Sequence, residues 1–145
     1  MKKKQPLLTL CFSTILLFLI LTACKSSNTS SKETVYRGYV IDQTCGLPDK
    51  DAMEMGDGNG KIDLTKNPEK HTNACNLMPD CSKNGLGISI KQVDGNYKYF
   101  KFDKDGSNLA KKEIVDKTKK KDNISVEVKG IINKDTIKIT TISEN

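Results

Sequence analysis

The chain lacks the features that would place it in several large classes. It has one apolar stretch of any length, and at 15 residues (Leu7 to Leu21) that stretch excludes a multi-span membrane protein. Ten glycines and four prolines in 145 residues are too few for a collagen-like rod, and the composition is not that of a coiled coil. There is no tryptophan, a single histidine and only 6% aromatic residues. No C-x-x-C occurs among the five cysteines, which argues against a thioredoxin-type oxidoreductase and removes the usual zinc knuckle. The formal charge is +6, but Lys2, Lys3 and Lys4 precede the apolar stretch. Removing these three from the 24 basic residues leaves 21 against 18 acidic ones, a net +3. That is a mixed, solvated surface rather than a nucleic-acid footprint. The apolar residues present fall in short runs, as in one folded domain of ordinary size.

The N-terminus reads as a leader. Met1 to Lys4 is a short basic region, and Leu7 to Leu21 has the length of a secretory apolar core. It ends Leu21-Thr22-Ala23-Cys24, followed by the polar run Lys25 to Ser31. This order resembles the lipobox of bacterial lipoproteins. The resemblance implies a signal peptide over 1–23, cleavage before Cys24 and lipidation of its sulfur. Residues 24–33 would then be the lipidated cysteine and a Ser-rich tether. The expected location is the cell membrane, facing outside the cytoplasm, with more than one acyl chain giving stable anchoring.

Residues 34–145 read as a single β domain. Five strands are expected: Thr34–Gln43, Leu86–Val93, Asn96–Phe102, Asn123–Ile132 and Thr136–Ile142, on alternating apolar and polar positions. Asp94-Gly95 predicts a type I′ hairpin turn. Asp103 to Gly106 predicts a turn, and Ser107 a cap for a helix from Asn108 to about Lys117. The order strand, strand, strand, helix, strand, strand is that of a small five-stranded OB-like Greek-key barrel, with an open α+β sheet as the alternative. Between the first two strands lies an insertion, 44–85, long enough to carry function or its own structure.

That insertion holds every remaining cysteine and the only histidine. The spacing from His71 is H-x3-C-x2-M-x2-C, through Cys75, Met78 and Cys81, with Cys45 upstream. Asn67 and Pro68 predict the start of a helix that would carry His71 and Cys75 on one face, with Pro79 ending or kinking it. The residues Gly38, Tyr39, Val40, Asp42, Cys45, Gly46, His71, Cys75, Cys81, Gly85 and Val126 to Gly130 together resemble an uncharacterised group of small secreted bacterial domains. The resemblance implies one domain over most of 36–142 and carries no activity.

Three chemistries fit these residues. Cys45, His71, Cys75 and Cys81 make a Cys₃His set suited to Zn²⁺, and Met78 would tilt it toward Cu⁺. Asp42 would then support His71 as a hydrogen-bond acceptor. Alternatively, outside the cytoplasm, one pair among Cys45, Cys75 and Cys81 forms a structural disulfide and one thiol stays free. The least favoured is a thiol enzyme using Cys75 and His71. A weak calcium-like loop is also present, with Asp57, Asn59 and Asp63 at ligand positions but two carboxylates missing. The run Lys117 to Lys121 could touch anionic headgroups, and a solvated loop is the better reading. The tyrosines and phenylalanines of the first and third strands could form a stacking face, or pack as core. The overall expectation is a binding or accessory module rather than an enzyme. Its partners would be the membrane, through the lipid, and an envelope protein or small ligand, with no nucleic acid.

Overall fold

A computed structural model describes residues 32–47 and 62–145. The leader, Cys24, most of the tether, and Asp57 and Asn59 of the calcium-like loop lie outside the described residues. The strands are β1 (Thr34–Asp42), β2 (Leu86–Lys91), β3 (Tyr97–Phe102), β4 (Ser125–Asn133) and β5 (Thr136–Glu144). They hydrogen-bond in the order β1-β2-β3-β5-β4, and β4 returns to β1 to close the ring. Every pairing is antiparallel except the short β3–β5 contact, Lys101 to Thr136 and Phe102 to Ile137.

Alternation decides which face turns inward. Val40 on β1, Ile88 on β2, Phe100 and Phe102 on β3, Val126 and Val128 on β4, and Ile137 and Ile139 on β5 form the core. Gly38 lies close against the backbone of β2. A Cβ there would lie 2.2 Å from the Ser89 carbonyl oxygen. A register shift at Lys129/Gly130 kinks β4 against β5, the kind of irregularity a small closed sheet needs at a corner.

The helix between β3 and β4 starts earlier than the sequence implies. Helix α4 spans Lys104–Ala110 and runs on as a π turn over Lys111–Val115, where the Asp116 N–H donates to Lys111 O at 2.9 Å. Its cap is Asp103, whose Oδ1 accepts from Gly106 N at 2.8 Å, not Ser107. Ser107 lies inside the helix, and its hydroxyl accepts from the Leu86 N–H at 2.8 Å. Gly106 had suggested a turn. It is a helical residue whose missing side chain admits Ile139, since a Cβ would meet Ile139 Cγ1 at 2.9 Å. Ala110, Ile114 and Val115 enter the core.

The β2–β3 hairpin is also not the expected type I′ turn. Gly95 has positive φ (88°) and Asp94 does not. Gly95 N donates to Gln92 O, and Gln92 N to Asn96 O, which makes a three-residue loop closed by Gly95.

Candidate metal centre

Three very short helices bring the insertion's cysteines to the end of β1. Helix α1 (Gln43–Gly46) follows β1 directly, and Asp42 caps it: its Oδ1 accepts from Cys45 N at 3.0 Å. A 3₁₀ turn, Pro68–Lys70, leads to His71, which is extended rather than helical. The predicted continuous helix through His71 is therefore broken. Asn67 makes no side-chain cap, and the new start is at Thr72, whose Oγ1 accepts from Cys75 N at 3.3 Å at the head of α2 (Asn73–Leu77). Pro79 does break the chain, and opens α3 (Pro79–Ser82), where Cys81 N donates to Met78 O at 3.1 Å. Each cysteine thus stands three residues after the residue that starts its turn.

The outcome is a compact cluster. Cys45 Sγ and Cys81 Sγ each lie 3.6 Å from Cys75 Sγ. A carboxylate oxygen of Asp42 joins the three thiols with all four atoms within 4.8 Å of one another. Cys45 and Cys81 are buried, and Cys75 is half-buried. His71 is not one of those four groups but touches them. Its Nε2 lies 2.9 Å from Asp42 Oδ2, and both side chains are almost fully buried. The other ring nitrogen, Nδ1, is buried with no hydrogen-bond partner among the described residues. Met78, between Cys75 and Cys81 in the chain, is 46% exposed.

The electrostatics follow from crowding. Burial opposes ionisation of Asp42, but His71 and the Cys45 N–H outweigh it and hold the carboxyl below its ordinary range. Burial likewise opposes charge on His71, and Asp42 followed by Cys75 outweighs it, so the imidazole is raised. Cys75 is pushed far up, chiefly by Cys45, against a smaller downward pull from His71. Burial, then Cys75, push Cys81 up to about 12. Raised in this way, Cys75 and Cys81 hold their protons at neutral pH. They make poor nucleophiles, yet would ionise together around a cation.

Asp63, the described member of the calcium-like loop, is engaged locally by Thr65 and Lys66. The sequence reading overlooked Asn73 and Asn76. Both are buried on α2. Asn73 Nδ2 donates to Val115 O at 3.0 Å, while Asn73 Oδ1 and both amide atoms of Asn76 have no partner among the described residues. Their i, i+3 spacing on a short polar helix is the only signal that could have marked an inward amide face. Among the described residues no helix is long and apolar enough to cross a membrane. No protein family, curated protein or solved structure matches the chain.

Proposed function

We propose that this protein is a membrane-anchored, extracytoplasmic binding module with an OB-like barrel, and that it holds one transition-metal ion through Cys45, Cys75 and Cys81, with His71 as the fourth ligand. The OB-like reading is supported by the closed strand order, the parallel β3–β5 contact and the helix between β3 and β4. The anchor rests on the leader and Cys24.

The metal reading rests on one observation, the 3.6 Å spacing of the sulfurs. Four ligands at the Zn–S distance of about 2.3 Å in a tetrahedron put sulfurs about 3.8 Å apart. A disulfide needs about 2.05 Å. Both Asp42 oxygens are already engaged, one by Cys45 N and one by His71. Asp42 therefore suits the role of holding His71 through Nε2, which leaves the unpartnered Nδ1 to turn to the ion. Three thiolates and an imidazole are a zinc donor set, and the exposed position of Met78 weakens the argument for Cu⁺.

A second reading is favoured by the same contacts: Cys75 is within closing distance of either neighbour, so a Cys45–Cys75 or Cys75–Cys81 staple would leave one thiol free. Native and denaturing mass measurement on the full chain, purified in mild detergent without chelator or reductant, separates the two. One metal equivalent lost on denaturation, with the three thiols of the folded domain then alkylated, is expected. Binding should be lost in Cys45→Ser and Cys75→Ser and reduced in His71→Ala. A metal-free protein with one disulfide and indifference to His71→Ala would replace the metal by the staple.

A further inference from the structure

The outer face of the β1–β2–β3 sheet carries a second feature, outside the cysteine cluster. By alternation and register, Ile41 of β1, Gly87 and Ser89 of β2, and Tyr97, Tyr99 and Lys101 of β3 share this face. The outside of a sheet should be wet, yet Ile41 is 1% and Ser89 3% exposed. Leu47 and Leu64 of the insertion face the same space. Together they enclose a cavity of about 520 Å³, lined by Ile41, Leu47, Leu64, Tyr97, Tyr99 and Lys101 among others. That size is within the range of small-molecule sites, which are mostly apolar with a few placed polar groups.

Two details make it a built site rather than a gap in packing. First, glycines let Tyr99 lie flat against the sheet. A Cβ on Gly46 would meet its ring at 2.3 Å, and one on Gly87 its hydroxyl at 2.3 Å. The hydroxyl reaches Ile41 O at 3.4 Å, so the ring is fixed as a wall. Second, the charges at the rim do not balance. Lys98 pairs with Asp135 at 3.2 Å and lies 4.9 Å over the Phe100 ring. Lys101 is half-buried beside the cavity and has no carboxylate partner among the described residues. A half-buried ammonium at the edge of an aromatic and aliphatic pocket lacks one thing, an anion carried by an apolar body.

The geometry points to a binding site for a small amphipathic organic anion, its ring or short acyl part against Tyr97, Tyr99 and Ile41 and its acid group at Lys101. The test uses the full chain in mild detergent, observed by ¹H–¹⁵N NMR and titrated with naphthalene-2-sulfonate. Saturable one-to-one shifts are expected at Ser89, Tyr97, Tyr99 and Lys101, and not on the far side of the ring at Lys129 or Lys138. Lys101→Met should weaken the dissociation constant about tenfold, the scale of one charge-assisted contact, and Lys101→Arg should retain it. Ser89→Phe should abolish the shifts by filling the cavity. Should that variant fail to fold, the Lys101 pair decides alone. Shifts that never saturate, that spread over the whole surface as micelle partition would, or that ignore Lys101→Met overturn the proposal. Lys101 lies on β3, outside the cysteine cluster, so the Lys101→Met and Lys101→Arg pair tests this site at unchanged metal content and the two assignments are read separately.

Discussion

Asp42 concentrates more of the site's physics than any other residue. It is the last residue of a strand, the cap of the helix that presents Cys45, and the buried partner of the only histidine. Its effect on the metal-free fold should be visible in the pH dependence of stability. The carboxyl is lowered from 3.8, so its contribution is present above that value and is lost as pH falls. The imidazole is raised from 6.5, so its contribution is complete below 6.5 and is lost as pH rises through the folded value. Urea unfolding of the metal-free protein should therefore show a stability maximum between about pH 4 and 6.5 from this pair. Asp42→Asn can keep the cap but not the charge. It should cost about 3 kcal/mol at pH 5.5, as removal of one partner of a buried ion pair does, and flatten the profile. A profile unchanged by the substitution would mean that the pair is not ionised in the fold.

At the level of elements, strands were legible and the short helices were not. Alternation marked Ile124, Val126 and Val128 as inward, and all three are almost fully buried. On the first two strands alternation separates Val40 from Ile41 and Ile88 from Ser89, but it cannot choose a face there, because all four are buried. The helix start was misplaced because Asp103 and Ser107 are both good caps, and local chemistry cannot choose between them. Tertiary contacts choose: Ser107 is taken by Leu86 N, and Gly106 by the approach of Ile139. This ranking has consequences. Asp103→Ala should cost about 1 kcal/mol as a lost cap. Ser107→Ala orphans a strand N–H at the β2 entrance and should cost about 1–2 kcal/mol, although a sequence reading makes alanine the better helix residue there. Gly106→Ala should also destabilise. Its helix-propensity gain is below about 1 kcal/mol, against about 1–3 kcal/mol for forcing a methyl into a packed contact. Thermal melts of the three variants at one pH check the order.

The candidate site was legible as a residue set but not as a shape. Cys45, His71, Cys75 and Cys81 stood out because they are rare types gathered in one insertion, and the thiols do converge. A single long helix could not have brought them together. Breaks at Thr72 and Pro79 fold the segment into three separate turns, each delivering one thiol. The D-x-x-C and T-x-x-C spacings were the readable trace of this, since both use a side-chain cap on the cysteine's own N–H. Met78 entered the set because a thioether near cysteines suggests a soft-metal ligand; in the fold it stands at the start of α3 with its side chain exposed, a position that spacing alone does not reveal.

On the scale of the whole molecule, the ring and the insertion are held by different forces. The ring has a continuous apolar core and closes on itself. Among the described residues, the insertion contributes none to that core. Among the described residues, backbone hydrogen bonds tie it to the ring at few points: Gln43 N to Gly85 O at 2.9 Å, Asn73 N to Lys121 O at 2.7 Å and Asn123 N to Glu69 O at 2.7 Å. Gly85 can serve as the return point because it takes φ 92°, which a side chain would strain. An ion joining Cys45 to Cys75, Cys81 and His71 would supply the cross-link that the apolar core does not, and it would do so across the two ends of the insertion. Metal removal should then loosen the insertion before the ring. In hydrogen exchange followed by mass spectrometry, adding a chelator should raise exchange across 62–85 by one to two orders of magnitude, while β4 and β5 keep their protection, because local opening and global unfolding draw on separate contacts. Uniform loss of protection across β4 and β5 would instead make the ion part of the global fold. No change anywhere would leave the insertion held without it, and with that the case for a cross-linking metal at the cysteine cluster would fail.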